Sequence, residues 1–250
     1  KSALVLMDPA TCEELEQLYT NDKYDLRGIW YSDAQKKLQG VSYEGHKGVR
    51  RHFFDKATGE MFGRMEKHLR GYEVGISGWN KAEDKYIVYA GGDRTMGAYY
   101  FYDVKSDTMT KLADLAPWID EQQMAEMTPV TYTSRDGLEI EGYLTLPVGK
   151  TLHNAKNLPV VVNPHGGPWA RDSWGFNPEV QFLANRGYAV LQMNFRGSTG
   201  FGRKFTEIAY GKWGQTMQDD ITDGVNWLIE KGIADPSKIA IYGGSYGGYA

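Results

Sequence analysis

Two short words in this chain have residue types and spacing suited to acyl-transfer chemistry. Gly243-Gly244-Ser245-Tyr246-Gly247 reads GxSxG and follows the apolar run Ile239-Ala240-Ile241-Tyr242. A serine between glycines at the end of a strand suits a sharp strand-to-helix turn, with the hydroxyl exposed at its tip as a nucleophile. The second word, His165-Gly166-Gly167-Pro168, follows the apolar stretch Leu158-Pro159-Val160-Val161-Val162-Asn163. A turn of this type after an early strand offers a backbone N–H to a developing oxyanion, and the residue after the nucleophile offers another. The expected donors are therefore Gly167 and Tyr246, each worth about 2.7 to 4 kcal/mol of transition-state stabilisation.

The stretch between the two words supplies elements that can position them. Residues 178–186 have helical character and end at Gly187, and Tyr188-Ala189-Val190-Leu191-Gln192-Met193-Asn194 is a mostly apolar run suited to a buried parallel strand. A Gly-rich loop follows, Arg196-Gly197-Ser198-Thr199-Gly200-Phe201-Gly202. From Asp219 the spacing of Ile221, Val225, Leu228 and Ile229 is helical as far as Gly232, and Asp235-Pro236-Ser237 turns the chain into the strand before Ser245. Strand, helix, strand, helix, strand and serine turn predict a parallel α/β sheet.

The words at 165–168, 194–202 and 243–249, in this order, resemble the prolyl oligopeptidase family of serine peptidases, with most similarity to its acylaminoacyl-peptidase and dipeptidyl-peptidase-5-like branch. The resemblance runs from about Thr128 to Ala250. It implies a C-terminal α/β-hydrolase domain capped by an N-terminal β-propeller that restricts access to short peptides. On that reading Ser245 is the nucleophile, Gly167 and Tyr246 form the oxyanion hole, and Arg196 with its loop is a candidate wall of the substrate site. The alternative for Arg196 is a carboxylate pairing that holds the loop.

The N-terminal half carries a repeat of its own. Arg51-His52-Phe53-Phe54-Asp55 followed by Met61 aligns with Tyr99-Tyr100-Phe101-Tyr102-Asp103 followed by Met109 at an offset of 48 residues, and Trp30 aligns with Trp79 at 49. A repeat of this length, rich in alternating strands, matches a four-stranded propeller blade. The expected organisation is thus the last blades of a β-propeller over 1–114, a linker over 115–127 resembling a short polar helix, and the first half of an α/β-hydrolase domain over 128–250. In that last part Val130-Thr131-Tyr132-Thr133 and Leu138-Glu139-Ile140-Glu141-Gly142-Tyr143-Leu144 flank Asp136-Gly137, a hairpin signal that would open the sheet.

In this fold the triad follows the chain order Ser, Asp, His, so both partners of Ser245 are expected beyond Ala250. All five histidines precede the serine. His165 is expected to hydrogen-bond within its turn, with service as an alternative base the minor reading, and Asp219 and Asp220 are expected to be structural. The 250-residue piece alone is expected to be inactive. A net charge of −4 without basic runs gives no support for nucleic-acid binding, and no apolar run approaches a membrane span. The single cysteine, Cys12, excludes an intrachain disulfide and any multi-cysteine metal site, and no cofactor motif occurs. The expected partners are short peptide substrates, while a homo-oligomer and the compartment stay open. A carboxylesterase on the same fold and a non-catalytic propeller interaction protein are the alternatives.

Overall fold

The computed structural model describes residues 1–250 and separates them into two compact units. One comprises 1–26, 125–174 and 178–250; the other comprises 27–124 with 175–177.

The first unit begins with a two-stranded antiparallel sheet, β1 (Ala3–Met7) and β2 (Glu14–Thr20). The second unit follows in sequence with a three-stranded sheet, β3 (Leu26–Ser32), β4 (Lys37–Gly45) and β5 (Gly48–Phe53). Helix α1 (Lys56–His68) comes next, then a four-stranded antiparallel meander, β6 (Glu73–Trp79), β7 (Lys85–Gly91), β8 (Ala98–Asp103) and β9 (Thr108–Asp114). The repeat therefore matches β3 to β6 and β5 to β8, but the match of Met61 to Met109 fails, because Met61 lies on α1 and Met109 on β9. Where the second copy has a fourth strand, the first has a helix. The cause is legible locally. Asp55 caps α1 by accepting from Thr58 N at 2.9 Å, and Met61, Phe62, Met65 and Leu69 place one apolar face in a core with Val74, Val88 and Tyr102.

The expected boundary of the N-terminal domain is corrected at its start, since residues 1–26 group with the α/β unit. Asp25 binds them there: its N–H donates to Gly200 O at 2.9 Å and its carboxylate accepts from Ser2 N and Gly202 N at 2.7 and 2.8 Å. Tyr24 adds a hydroxyl bond to the buried Glu141 at 2.9 Å. The expected linker helix is a single 3-10 turn over Glu121–Gln123, capped by Asp120.

The remainder of the first unit is a five-stranded mixed sheet in the order β10-β11-β13-β12-β14. Strands β10 (Met127–Thr133) and β11 (Glu139–Thr145) form the expected hairpin around Asp136-Gly137, and Gly137 adopts φ 88°, a left-handed turn conformation that glycine takes without strain. Strands β12 (Leu158–Val162), β13 (Ala189–Met193) and β14 (Ala234–Ile241) run parallel, with α2 (Pro178–Ala184), α3 (Arg203–Glu207) and α4 (Thr216–Glu230) between them. The sequence periodicity starts α4 three residues late and does not reveal α3. The turn expected at 235–237 survives as an irregularity inside β14, where Ser237 N donates to Asp235 Oδ1 at 2.9 Å. Val160 and Val162 join the core with Met217, Ile221 and Leu228 of α4, while Val161 on the other face lines a cavity together with Pro178, Phe182 and Leu183 at α2.

From β12 the chain adds β13 on one side and β14 on the other. Loops leaving the carboxyl ends of adjacent parallel strands diverge at such a reversal and leave a crevice between them. The two loops in question are the 165–168 turn after β12 and the GxSxG turn after β14.

Candidate active site

Strand β14 hands the chain to a four-residue helix, α5 (Tyr246–Tyr249), through Ser245 at φ 54° and ψ −120°. A serine held in this sparsely populated region costs on the order of 1–3 kcal/mol, which the surrounding structure must sustain. What sustains it is the closeness of the two turns. A Cβ added at Gly247 would lie 2.1 Å from Pro164 O, and one at Gly243 would lie 2.8 Å from both Pro164 O and Gly247 O. Only glycine permits this approach. A Cβ on Gly166 would meet Ser245 Cβ at 3.4 Å and Ser245 Oγ at 3.9 Å, so the 165–168 turn lies directly against the serine.

Gly167 has φ 124°, and neither its N–H nor that of Tyr246, the first residue of α5, donates to another protein atom. The Tyr246 ring is buried, packed on Phe195, Trp213 and Tyr249 at centroid distances of 5.5, 5.2 and 5.7 Å, with its hydroxyl 3.7 Å from Met217 Sδ. That packing fixes the residue whose backbone leaves the serine.

His165 lies within the turn and does not bond Ser245. Its ring stacks on Phe195 at 4.4 Å, Nδ1 lies 2.7 Å from Gly166 O and Nε2 lies 2.8 Å from Ser198 Oγ. Burial pushes its pKa down, and Nδ1 donates to the Gly166 carbonyl, while Nε2 faces Ser198 Oγ, whose hydroxyl donates to Phe195 O at 2.7 Å. The ring is a brace between the turn and the Gly-rich loop. No other histidine bonds Ser245 Oγ.

Arg196 is 5% exposed, and its donors are committed. Nε and Nη2 bind the fully buried Asp220 at 2.8 and 2.7 Å, and Nη1 and Nη2 bind Asp136 in the β10–β11 turn at 2.7 and 2.9 Å. Its backbone N–H also donates to Asp220 Oδ2. The hydrogen bonds to Asp220, ahead of those to Asp136, raise its pKa. The carboxylate pairing, and not a substrate wall, is the role this geometry supports. Asp219 pairs separately with Arg135 at 2.8 Å.

One group of residues at the site escaped the sequence analysis. Asp172, Gln192 and Asn194 interlock at the far end of the 165–172 segment: Asn194 Oδ1 accepts from Asp172 N at 2.8 Å, Asn194 Nδ2 donates to Asp172 O at 3.1 Å, and Gln192 Nε2 donates to Asp172 Oδ1 at 3.0 Å. Two amide side chains within or directly after an otherwise apolar strand were the signal. No group of three or more His, Cys, Asp or Glu side chains is placed to hold a metal ion.

Comparison with known proteins gives a consistent picture. Residues 174–250 match the model of the prolyl oligopeptidase family. The chain is 44% identical to dipeptidyl aminopeptidase BIII of Pseudoxanthomonas mexicana over 66% of this chain and 24% of that protein. It is 43% identical to dipeptidyl peptidase family member 6 of Caenorhabditis elegans over 95% of this chain and 34% of that protein. The chain thus spans about a quarter to a third of these relatives' length. Among solved structures, puromycin hydrolase superposes with a TM-score of 0.73 at 23% identity, over 99% of this chain and 38% of that one, a likeness of fold.

Proposed function

Because the chain belongs to the prolyl oligopeptidase family, we propose that it is part of a serine peptidase that hydrolyses short peptides through an acyl-enzyme on Ser245. The observation that carries the reading is the strained serine turn pressed against the 165–168 turn, with two backbone N–H groups left unused beside it. In this reading Ser245 Oγ attacks the scissile carbonyl, and the N–H groups of Gly167 and Tyr246 receive the oxyanion. A serine hydroxyl is a weak nucleophile without an adjacent base. No histidine here bonds it, and in the chain order of this fold the base and its carboxylate follow the serine.

We further propose that the 27–124 unit is part of a β-propeller and that the sheet over 127–241 is the opening half of an α/β-hydrolase domain. The four-stranded meander β6–β9 and the mixed sheet with its serine turn support this. The relatives named for dipeptidyl peptidase activity support release of short peptides as the activity to test first.

The test uses the full-length protein with short chromogenic peptides and a simple ester. Peptide cleavage lost in Ser245→Ala, with substrate binding retained, is the expected result. Ester turnover without peptide cleavage would replace the reading with a carboxylesterase.

A further inference from the structure

The 165–172 segment is held at both ends, and the second anchor has an unusual chemical feature. Its first anchor is His165, clasped by Phe195 and Ser198. Its second is the interlock of Asp172 with Gln192 and Asn194, side chains that are 2% and 0% exposed. Gln192 Nε2 reaches Asp172 Oδ1, yet Asp172 Oδ2 and Gln192 Oε1, both shielded from solvent, have no hydrogen-bond partner. The two orphaned oxygens belong to the same pair of side chains, whose other ends already meet. Two acceptors cannot satisfy each other, but one proton between them can. A carboxylic acid and a carboxamide meet in just this way, the amide N–H donating to one carboxyl oxygen and the acid O–H donating back to the amide oxygen. An unpaired buried acceptor costs about 1–3 kcal/mol, and here a single proton satisfies two.

We propose that Asp172 is a positioning residue for the oxyanion turn: uncharged, it shares the proton on Oδ2 with Gln192 Oε1 in a reciprocal acid–amide pair that fixes the end of the segment carrying Gly167. This rests on the assignment of Gly167 as an oxyanion donor. The segment between the anchors is short, with Ala170 N donating to Pro168 O within it and Thr199 N of the Gly-rich loop donating to Ala170 O, both at 2.9 Å. A shift at Asp172 is therefore passed to Gly167 five residues away.

Two influences on the pair oppose each other: burial favours the neutral acid, while the adjacent Arg171 guanidinium, whose buried Nη1 and Nη2 have no partner, favours the carboxylate. Burial, the largest influence, raises the pKa of Asp172 to about 7, against the opposing effects of Gln192 and Arg171. Arg171 does not pair with it. Its Nε donates to Asp172 O at 3.2 Å, and its guanidinium lies over the Phe201 ring at 4.6 Å. Tyr143 is opposite Gln192 across the β11–β13 ladder, and His165 and Tyr24 are the titratable groups that also feel Arg171. Glu141, one strand over, is occupied by Tyr24 and Lys23.

The test compares wild type, Asp172→Asn and Asp172→Ala in the full-length protein. Asparagine reproduces the protonated acid, because its N–H can donate to Gln192 Oε1 while its oxygen accepts from Gln192 Nε2. Peptide kcat and KM are measured from pH 5 to 9 and normalised to the fraction labelled by a serine-directed phosphonate. Infrared difference spectra of wild type against Asp172→Asn report the protonated carboxyl stretch without reference to catalysis. Expected are a protonated carboxyl band at pH 6, and wild-type kcat falling on the alkaline side as Asp172 ionises. Asp172→Asn should keep kcat within about 3-fold at pH 6 and lose that alkaline fall. Asp172→Ala should lower kcat by roughly 10- to 100-fold with little change in KM, the scale of an ångström-level misplacement of a catalytic group. An ionised Asp172 at pH 6, or an unchanged alkaline limb in Asp172→Asn, overturns the proposal. If wild type hydrolyses nothing, the peptidase reading fails, and the infrared band alone decides whether the acid–amide pair exists.

Discussion

Gly247→Ala is the sharpest perturbation of the contact between the serine turn and the 165–168 turn. The added Cβ would lie 2.1 Å from Pro164 O and 3.0 Å from Pro164 C, against an ordinary contact of 3.4 Å or more. One backbone must retreat by about 1.3 Å, the difference between 3.4 and 2.1 Å. Neither side can yield by a rotamer change, since the obstructing atoms are main chain. If α5 moves, Ser245 and the Tyr246 N–H move with it; if the end of β12 moves, the Gly167 N–H moves. A displacement of about 1 Å costs on the order of 100-fold in rate, so kcat should fall at least that far, with overpacking adding roughly 1–3 kcal/mol of destabilisation. The assay is peptide kcat in the full-length protein, per serine labelled. Gly63→Ala on α1, where an added Cβ meets nothing within 4 Å, is the matched control and should leave kcat unchanged. A Gly247→Ala enzyme within about 3-fold of wild type would refute the claim that this contact sets the catalytic geometry.

Other perturbations bear on the framework. Asp220→Ala would leave the buried guanidinium of Arg196 with only Asp136, and loss of one partner of such a pair costs about 3–5 kcal/mol, to be read as a shifted urea midpoint. Removal of the α1 cap by Asp55→Ala should cost about 1 kcal/mol at neutral pH. Hydrogen bonds from Lys37 and Thr58 hold that carboxyl at about 2, below its usual 3.8, so its contribution is present above about pH 4 and disappears as pH falls towards 2, which thermal melts across that range would detect. Asp172 has the opposite sign. With a pKa raised from 3.8 to about 7, the wild type loses stability relative to Asp172→Asn as pH rises through that interval, and the gap in melting temperature should widen from pH 4 to 7 and then level off.

The α/β half was legible because its signals are local. Apolar runs gave β12, β13 and the end of β14, the Asp136-Gly137 pair gave the hairpin, and the glycines at 243 and 247 announced a turn that tolerates no side chain. Helix α1 was obscured by the repeat itself: aligning Met61 with Met109 outweighed the helical spacing of Met61, Met65 and Leu69. The place of residues 1–26 had no local signature, because Asp25 finds Gly200 and Gly202 more than 170 residues away. Arg196 and Asp172 were similarly opaque. Whether a charged side chain faces substrate or is bound by buried carboxylates depends on a partner such as Asp220, which sequence alone does not bring near.

The central claim is that Ser245 is a nucleophile made reactive by its turn and by groups that complete the site. Its most direct measurement is to treat the full-length protein with a serine-directed phosphonate and map the adduct by peptide mass spectrometry while following peptide hydrolysis. One adduct per chain on Ser245, formed in step with loss of activity and absent in Ser245→Ala, is the predicted result. Peptide hydrolysis that persists in Ser245→Ala, or inactivation with the adduct on another residue, would contradict it.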